Sequence, residues 1–274
     1  MIRRWGWFFL LVCLVPFPGH ALASQIVFVV KTSVTVTEQS VDVRLEIDNR
    51  GNEDALVVTP FLTLAGLKTG LETVPHVAFD GGRIWVHCFP VDELEFSAAG
   101  EYPLVLQLRF HDAYMYPYSL VNVTGVRIGE RIPLEVPVAG ELVAEQVAAE
   151  GTLDLRVRNT GNAPLEARLT MVSPTELVVV GDDDKLDIPA GEEQQFGSTI
   201  KNKGALPGST HSVYAIIEYS VNGQHGVLIL EESVAVASYM SNTKSRMIIA
   251  GTGLIVLLFF LVLFIEFRTE ASPA

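Results

Sequence analysis

Short runs of alternating apolar and polar residues dominate the middle of the chain. Val41-Asp42-Val43-Arg44-Leu45-Glu46-Ile47 is one, and Leu153-Asp154-Leu155-Arg156-Val157-Arg158 is another. A period of two places one face of each strand in a core and the other in water. Helical periodicity is scarce across this region. Two uninterrupted apolar stretches stand apart from it, Trp5–Val15 and Met247–Ile265.

The two alternating runs are copies. Val43–Asn52 aligns with Leu153–Asn162, and Asn49 stands 110 residues before Asn159. Each run ends in Asn-x-Gly-Asn, where Asn and Gly tolerate the left-handed backbone of a tight turn. A second echo pairs Leu104–Phe110 with Val213–Tyr219 at an offset of 109. The body therefore divides into two related units, 24–137 and 138–238. The prolines of Gly129–Pro137 suit a stiff, extended connection. Each unit is about 100 residues with turn signals at short intervals, the pattern of an antiparallel sandwich.

The second unit runs strand, Asn159-Thr160-Gly161-Asn162, strand, Ile188-Pro189-Ala190-Gly191-Glu192, then Pro207-Gly208, the strand Val213–Tyr219 and Asn222-Gly223. This order resembles the CARDB/NEW3-type immunoglobulin-like modules of prokaryotic envelope proteins. The first unit matches at its start and its last hairpin and departs over Leu62–Phe96. The resemblance implies an all-β chain of two tandem immunoglobulin-like sandwiches. It implies no catalytic residues, because its motifs are turn chemistry.

The apolar stretches set the expected topology. Residues 1–23 read as a signal peptide, with Arg3 and Arg4, a short apolar core, and Ala21-Leu22-Ala23 before Ser24. Residues 247–265 are long enough, at ~28 Å of helix, to cross a bilayer. The expected order continues from the second sandwich through a juxtamembrane linker, 239–246, to this span and a cytoplasmic tail, 266–274. That tail leaves no room for a signalling domain. The body is thus expected on the extracytoplasmic side of the cell membrane, single-pass.

Charge and cysteine content narrow the classes. The chain has 274 residues and a formal charge of −13, and removing Arg3 and Arg4 with the signal makes it −15. So acidic a body excludes nucleic acid as an electrostatic partner. Cys13 leaves with the signal, so Cys88 has no internal disulfide partner. No enzyme motif is found, and no cofactor is expected.

The first unit holds the candidate chemistry. His87, Cys88, His111 and Met115 carry the imidazole, thiolate and thioether that copper favours. Their order differs from a cupredoxin, and the plainer reading makes Cys88 a small buried residue and His111-Asp112 the start of a hairpin turn. Tyr114, Tyr116 and Tyr118 recur with period two and, with Trp85, offer a stripe for a partner protein or a glycan. The alternative is a hairpin with its aromatic face on its own core. Gly181–Lys185 packs three acids into a turn, read as a solvated loop rather than a calcium site. The leading functional expectation is a non-catalytic assembly protein that meets other envelope or membrane proteins. Surface carbohydrate binding and periplasmic copper or zinc handling are the alternatives.

Overall fold

The computed structural model describes residues 25–129, 137–181 and 185–237. The expected signal peptide, juxtamembrane linker, membrane span and tail lie outside these residues. So do most of the connection between the units and the three acids 182–184. Among the described residues no helix is long and apolar enough to cross a membrane.

The described chain is all-β. Its first eight strands are β1 (Phe28–Val36), β2 (Ser40–Asn49), β3 (Ala55–Leu64), β4 (Leu67–Gly70), β5 (Val74–Val77), β6 (Gly82–Pro90), β7 (Gly100–His111) and β8 (Pro117–Ile128). The last eight are β9 (Val138–Ala144), β10 (Glu150–Asn159), β11 (Leu165–Val172), β12 (Leu177–Val180), β13 (Lys185–Ile188), β14 (Glu193–Asn202), β15 (Thr210–Val221) and β16 (Gln224–Ala235).

Alternation drives the layering. In β2, Val41, Val43, Leu45 and Ile47 are fully buried, while Asp42, Arg44, Glu46 and Asp48 face out. In β10, Leu153, Leu155 and Val157 are buried in the same way. Each such side chain contributes about 1.5–3 kcal/mol on leaving water.

Three sheets result. One is β1-β2-β6, one is β12-β14-β10-β9, and the third has nine strands drawn from both halves of the chain. Within the third, β8, β7, β3, β4 and β5 form the first half's sheet, and β13, β11, β15 and β16 the second's. Among the described residues a single parallel bridge, His225 to Gly100, joins them. Each half layers one sheet on another over its own core, Val41–Val126 in the first and Val138–Val236 in the second.

The copied turn has a copied job. Asn49 is buried, and its Nδ2 donates to the carbonyls of Glu53 (2.7 Å) and Val77 (3.4 Å) while Oδ1 accepts from Gly51 N–H (3.0 Å). Asn159, also buried, donates to Ala163 (2.8 Å) and Ile188 (3.0 Å) and accepts from Gly161 N–H (2.9 Å). One side chain thus closes the turn and ties it to a strand of the facing sheet. Leaving such buried groups unpaired is costly, so the motif is structural in both halves.

Candidate interaction surface

The hairpin between β7 and β8 carries the most exposed aromatic group. Asp112 builds its tip, with its Oδ1 accepting from the N–H of Tyr114 (2.9 Å) and of Tyr116 (2.8 Å). Ala113 N–H donates to Glu53 Oε1 at 2.9 Å, which pins the tip to the turn after β2. Met115 takes φ +62°, where a left-handed residue completes the reversal. Tyr114 is 89% exposed, Met115 55% and Tyr116 42%. His111-Asp112 does begin a hairpin turn here.

The tyrosines do not make one stripe. A period-two face needs a continuous strand, and β8 begins only at Pro117. Tyr114 and Tyr116 stand in the turn, whereas Tyr118 is half-buried against the first core and stacks on Phe110, with centroids 5.8 Å apart. Burial, then the negative charge of Asp112, pushes the Tyr118 phenol up to about 12. Trp85 is likewise a core residue, with its indole N–H donating to the Glu72 carbonyl at 2.8 Å.

The four soft ligands fall on different faces. Cys88 is exposed on the outer face of β6, not buried, while His87, next to it, points inward and meets Phe89 edge-on at 4.5 Å. Partial burial lowers the His87 pKa. The Asp42 carboxylate, hydrogen-bonded to the Cys88 thiol, raises the thiol's pKa and favours the protonated form, a poor metal ligand. On β7 the even residues Leu104–Phe110 fill the core, so His111 projects from the opposite side of that sheet. Among the described residues its Nδ1, which is buried, has no hydrogen-bond partner. Among the described residues no group of three or more His, Cys, Asp and Glu side chains is placed to hold a metal.

A second polar cluster was not expected from the sequence. Between the halves, Glu176 is buried and accepts from the Ser119 backbone N–H and, at 2.7 Å, from the Ser119 hydroxyl. Thr175 N–H donates to Ser119 Oγ at 2.8 Å. Beside it, Val121 and Val123 of β8 pack on Tyr214 and Ile216 of β15. β15 buries both faces, because Val213, Ala215 and Ile217 turn into the second core. The unbroken apolar run Val213–Ile217 is the signal that marks a two-sided strand.

The bridge at Gly100 is equally close. A Cβ there would overlap the His225 carbonyl oxygen, so only glycine admits this approach. The His225 ring stacks on Tyr102 at 4.0 Å and 5°, its Nδ1 lies 2.7 Å from the Glu101 carbonyl and its Nε2 3.4 Å from Glu218. Tyr116 reaches across as well, its hydroxyl donating to the Gly204 carbonyl at 3.4 Å. The hairpin tip is therefore seated on both halves.

No family model matches the chain, and no curated protein does. Solved structures give distant similarities. A FixG-related protein from Vibrio parahaemolyticus is 14% identical with a TM-score of 0.31, over 36% of this chain and 96% of that one. Escherichia coli alpha-2-macroglobulin is 10% identical with a TM-score of 0.34, over 78% of this chain and 17% of that one. The cupredoxin domain of amoB from Nitrosocaldus yellowstonii is 15% identical with a TM-score of 0.25, over 33% of this chain and 57% of that one. Scores this low carry no inference, and the all-β architecture rests on the strand pairing of the chain itself.

Proposed function

We propose that the chain is a membrane-anchored, extracytoplasmic assembly protein. In this reading two tandem immunoglobulin-like sandwiches, exported by residues 1–23 and held by 247–265, present a non-catalytic surface to other envelope or membrane proteins. The Tyr114-Met115-Tyr116 tip carries the reading. It exposes two aromatic rings and a thioether on a turn that Asp112 and Glu53 hold in shape. Exposed aromatics and methionine on a preorganised support are the composition that binding surfaces favour, because little side-chain order is lost on docking. The acidic charge of the chain disfavours nucleic acid and anionic lipid surfaces as partners.

The test is affinity purification of the full chain from detergent-solubilised membranes. Wild type is expected to recover a stoichiometric partner, and a variant with Tyr114→Ser, Met115→Ser and Tyr116→Ser to lose it while keeping its fold. Recovery of no partner, or equal recovery by the triple variant, overturns the reading.

A further inference from the structure

The two facing sheets of the first and second halves end differently. In the second half, β12 lies along β14, with Val180 opposite Thr199 and Leu177 opposite Asn202. In the first half, β6 holds the position of β14. Both pair with the middle strand of their sheet, Asp48 with Gly82 in one and Arg158 with Glu193 in the other. Among the described residues nothing pairs with the outer edge of β6.

The free hydrogen-bonding groups of that edge can be assigned. Asn49 N–H donates to the Gly81 carbonyl, and Val91 N–H to that of Gln39. These bonds flank the ladder and set its phase, so the odd residues of β6 bond to β2. Antiparallel ladders alternate, so the N–H and C=O of Ile84, Val86 and Cys88 point to the open edge. The side chains of the same three residues form the outer face. Ile84 is 46% exposed, Val86 68%, and Cys88 is exposed too. The equivalent residues of β14 are Gln195, Gly197 and Thr199, all polar or small.

Proteins guard open edges with charge, proline or a covering element. Ile84–Phe89 has no charge and no proline. We infer that the open edge of β6 pairs, antiparallel and about a two-fold axis, with the β6 of a second copy of this chain. The edge is self-complementary. Centred on Val86, the pairing sets Val86 against Val86 and Ile84 against Cys88, each a hydrogen-bonded pair, for roughly six bonds in all. On the inner face Trp85 meets His87. Isologous contacts require this kind of self-match. The stretch Ile84–Phe89, between Arg83 and Pro90, also lets two copies of an acidic chain meet without opposing carboxylates. A continuous six-stranded sheet, β1-β2-β6 and its two-fold mate, results. This contact is separate from the Tyr114–Tyr116 tip and holds whether or not that tip recruits a partner.

The test uses the purified full chain in detergent with Cys13→Ser. Adding Ile84→Cys places a thiol opposite Cys88 of the second copy. A short bis-maleimide is expected to join most chains as dimers, while Cys88 alone, four residues out of register with its mate, stays unlinked. Val86→Pro removes an N–H that only the second copy uses, and is expected to halve the sedimenting protein mass. Val86→Lys serves the same end with an unaltered backbone. Hydrogen exchange of wild type is expected to show peptides over 84–88 slowed about 100-fold at high protein concentration relative to low. A monomer at all concentrations with these amides in fast exchange overturns the inference. So does protection that appears only on adding a partner recovered from membranes, which would leave the proposed function standing.

Discussion

The two halves of the molecule share seven strands and differ in where the remaining one goes. β4 folds back on β3 as a hairpin, whereas β12 crosses to the opposite sheet and joins β14. The turn before each strand accounts for the difference. Ala65 and Gly66, both at positive φ, link β3 to β4 directly. Two left-handed residues make the tight reversal whose twist matches a two-stranded ribbon. The second half has Ser173-Pro174-Thr175-Glu176 at this point. A proline-bearing loop of that length does not reverse the strand, and it carries the chain to the other sheet.

Two consequences follow from that local choice. In the first half β6 is left, among the described residues, as an open edge with Ile84, Val86 and Cys88 on its outer face. In the second, the crossing loop delivers Thr175 and Glu176 to Ser119, so the diverged loop also builds the contact between the halves.

The largest effect is expected from the shared element. Asn49→Ala and Asn159→Ala each remove three hydrogen bonds in a buried turn, and each is expected to cost about 3 kcal/mol. Calorimetry should show the loss in a different half for each variant. Equal effects on one transition would mean that the halves do not unfold separately.

The junction comes next. Glu176→Ala leaves the Ser119 N–H buried without its acceptor and takes the carboxylate from the Ser119 hydroxyl, and should weaken the contact by about 2 kcal/mol. The expected signature is a lower midpoint for the less stable of the two melting transitions, with little change in the more stable half. Gly66→Val attacks the other side of the comparison. A branched residue in a left-handed turn costs about 1–2 kcal/mol, and faster exchange should be confined to β3 and β4.

The smallest effect is pH-dependent. Burial lowers the His225 pKa, but the hydrogen bond to Glu218, the Glu101 carbonyl and the Glu218 charge outweigh it, and the net shift is upward. A folded-state value above the unfolded one means that His225 stabilises most below the ordinary imidazole range. That contribution is lost as pH rises through the folded value. Melting of wild type measured from pH 5 to 9 should show a decline that His225→Phe, which keeps the ring stack on Tyr102, removes.

Much of the scaffold was legible because strands and tight turns are local. β2 and β10 follow directly from their alternating residues. The Asn-x-Gly-Asn copies mark equivalent turns because a buried amide can bond only to backbone a few residues away and to one facing strand. The echo at an offset of 109 matches core-facing positions, Leu104 with Val213 and Phe110 with Tyr219. The candidate site was less legible. The exposed hairpin tip was visible in His111–Tyr118, as was a hairpin aromatic on the core, the place Tyr118 takes, but not that Trp85 belongs to the core, nor that Cys88 faces water. Period two does not say which face of an edge strand points inward.

What the sequence by itself determined is the alternating strands such as β2 and β10, their apolar faces and the paired turns, since each depends on neighbours within a few residues. Only the tertiary structure decided the rest. Which sheet receives β4 or β12, which edge stays open at β6, and which groups meet between Ser119, Glu176, Gly100 and His225 all depend on residues far apart in the chain. Those contacts follow from how whole sheets stack, and no local period encodes them.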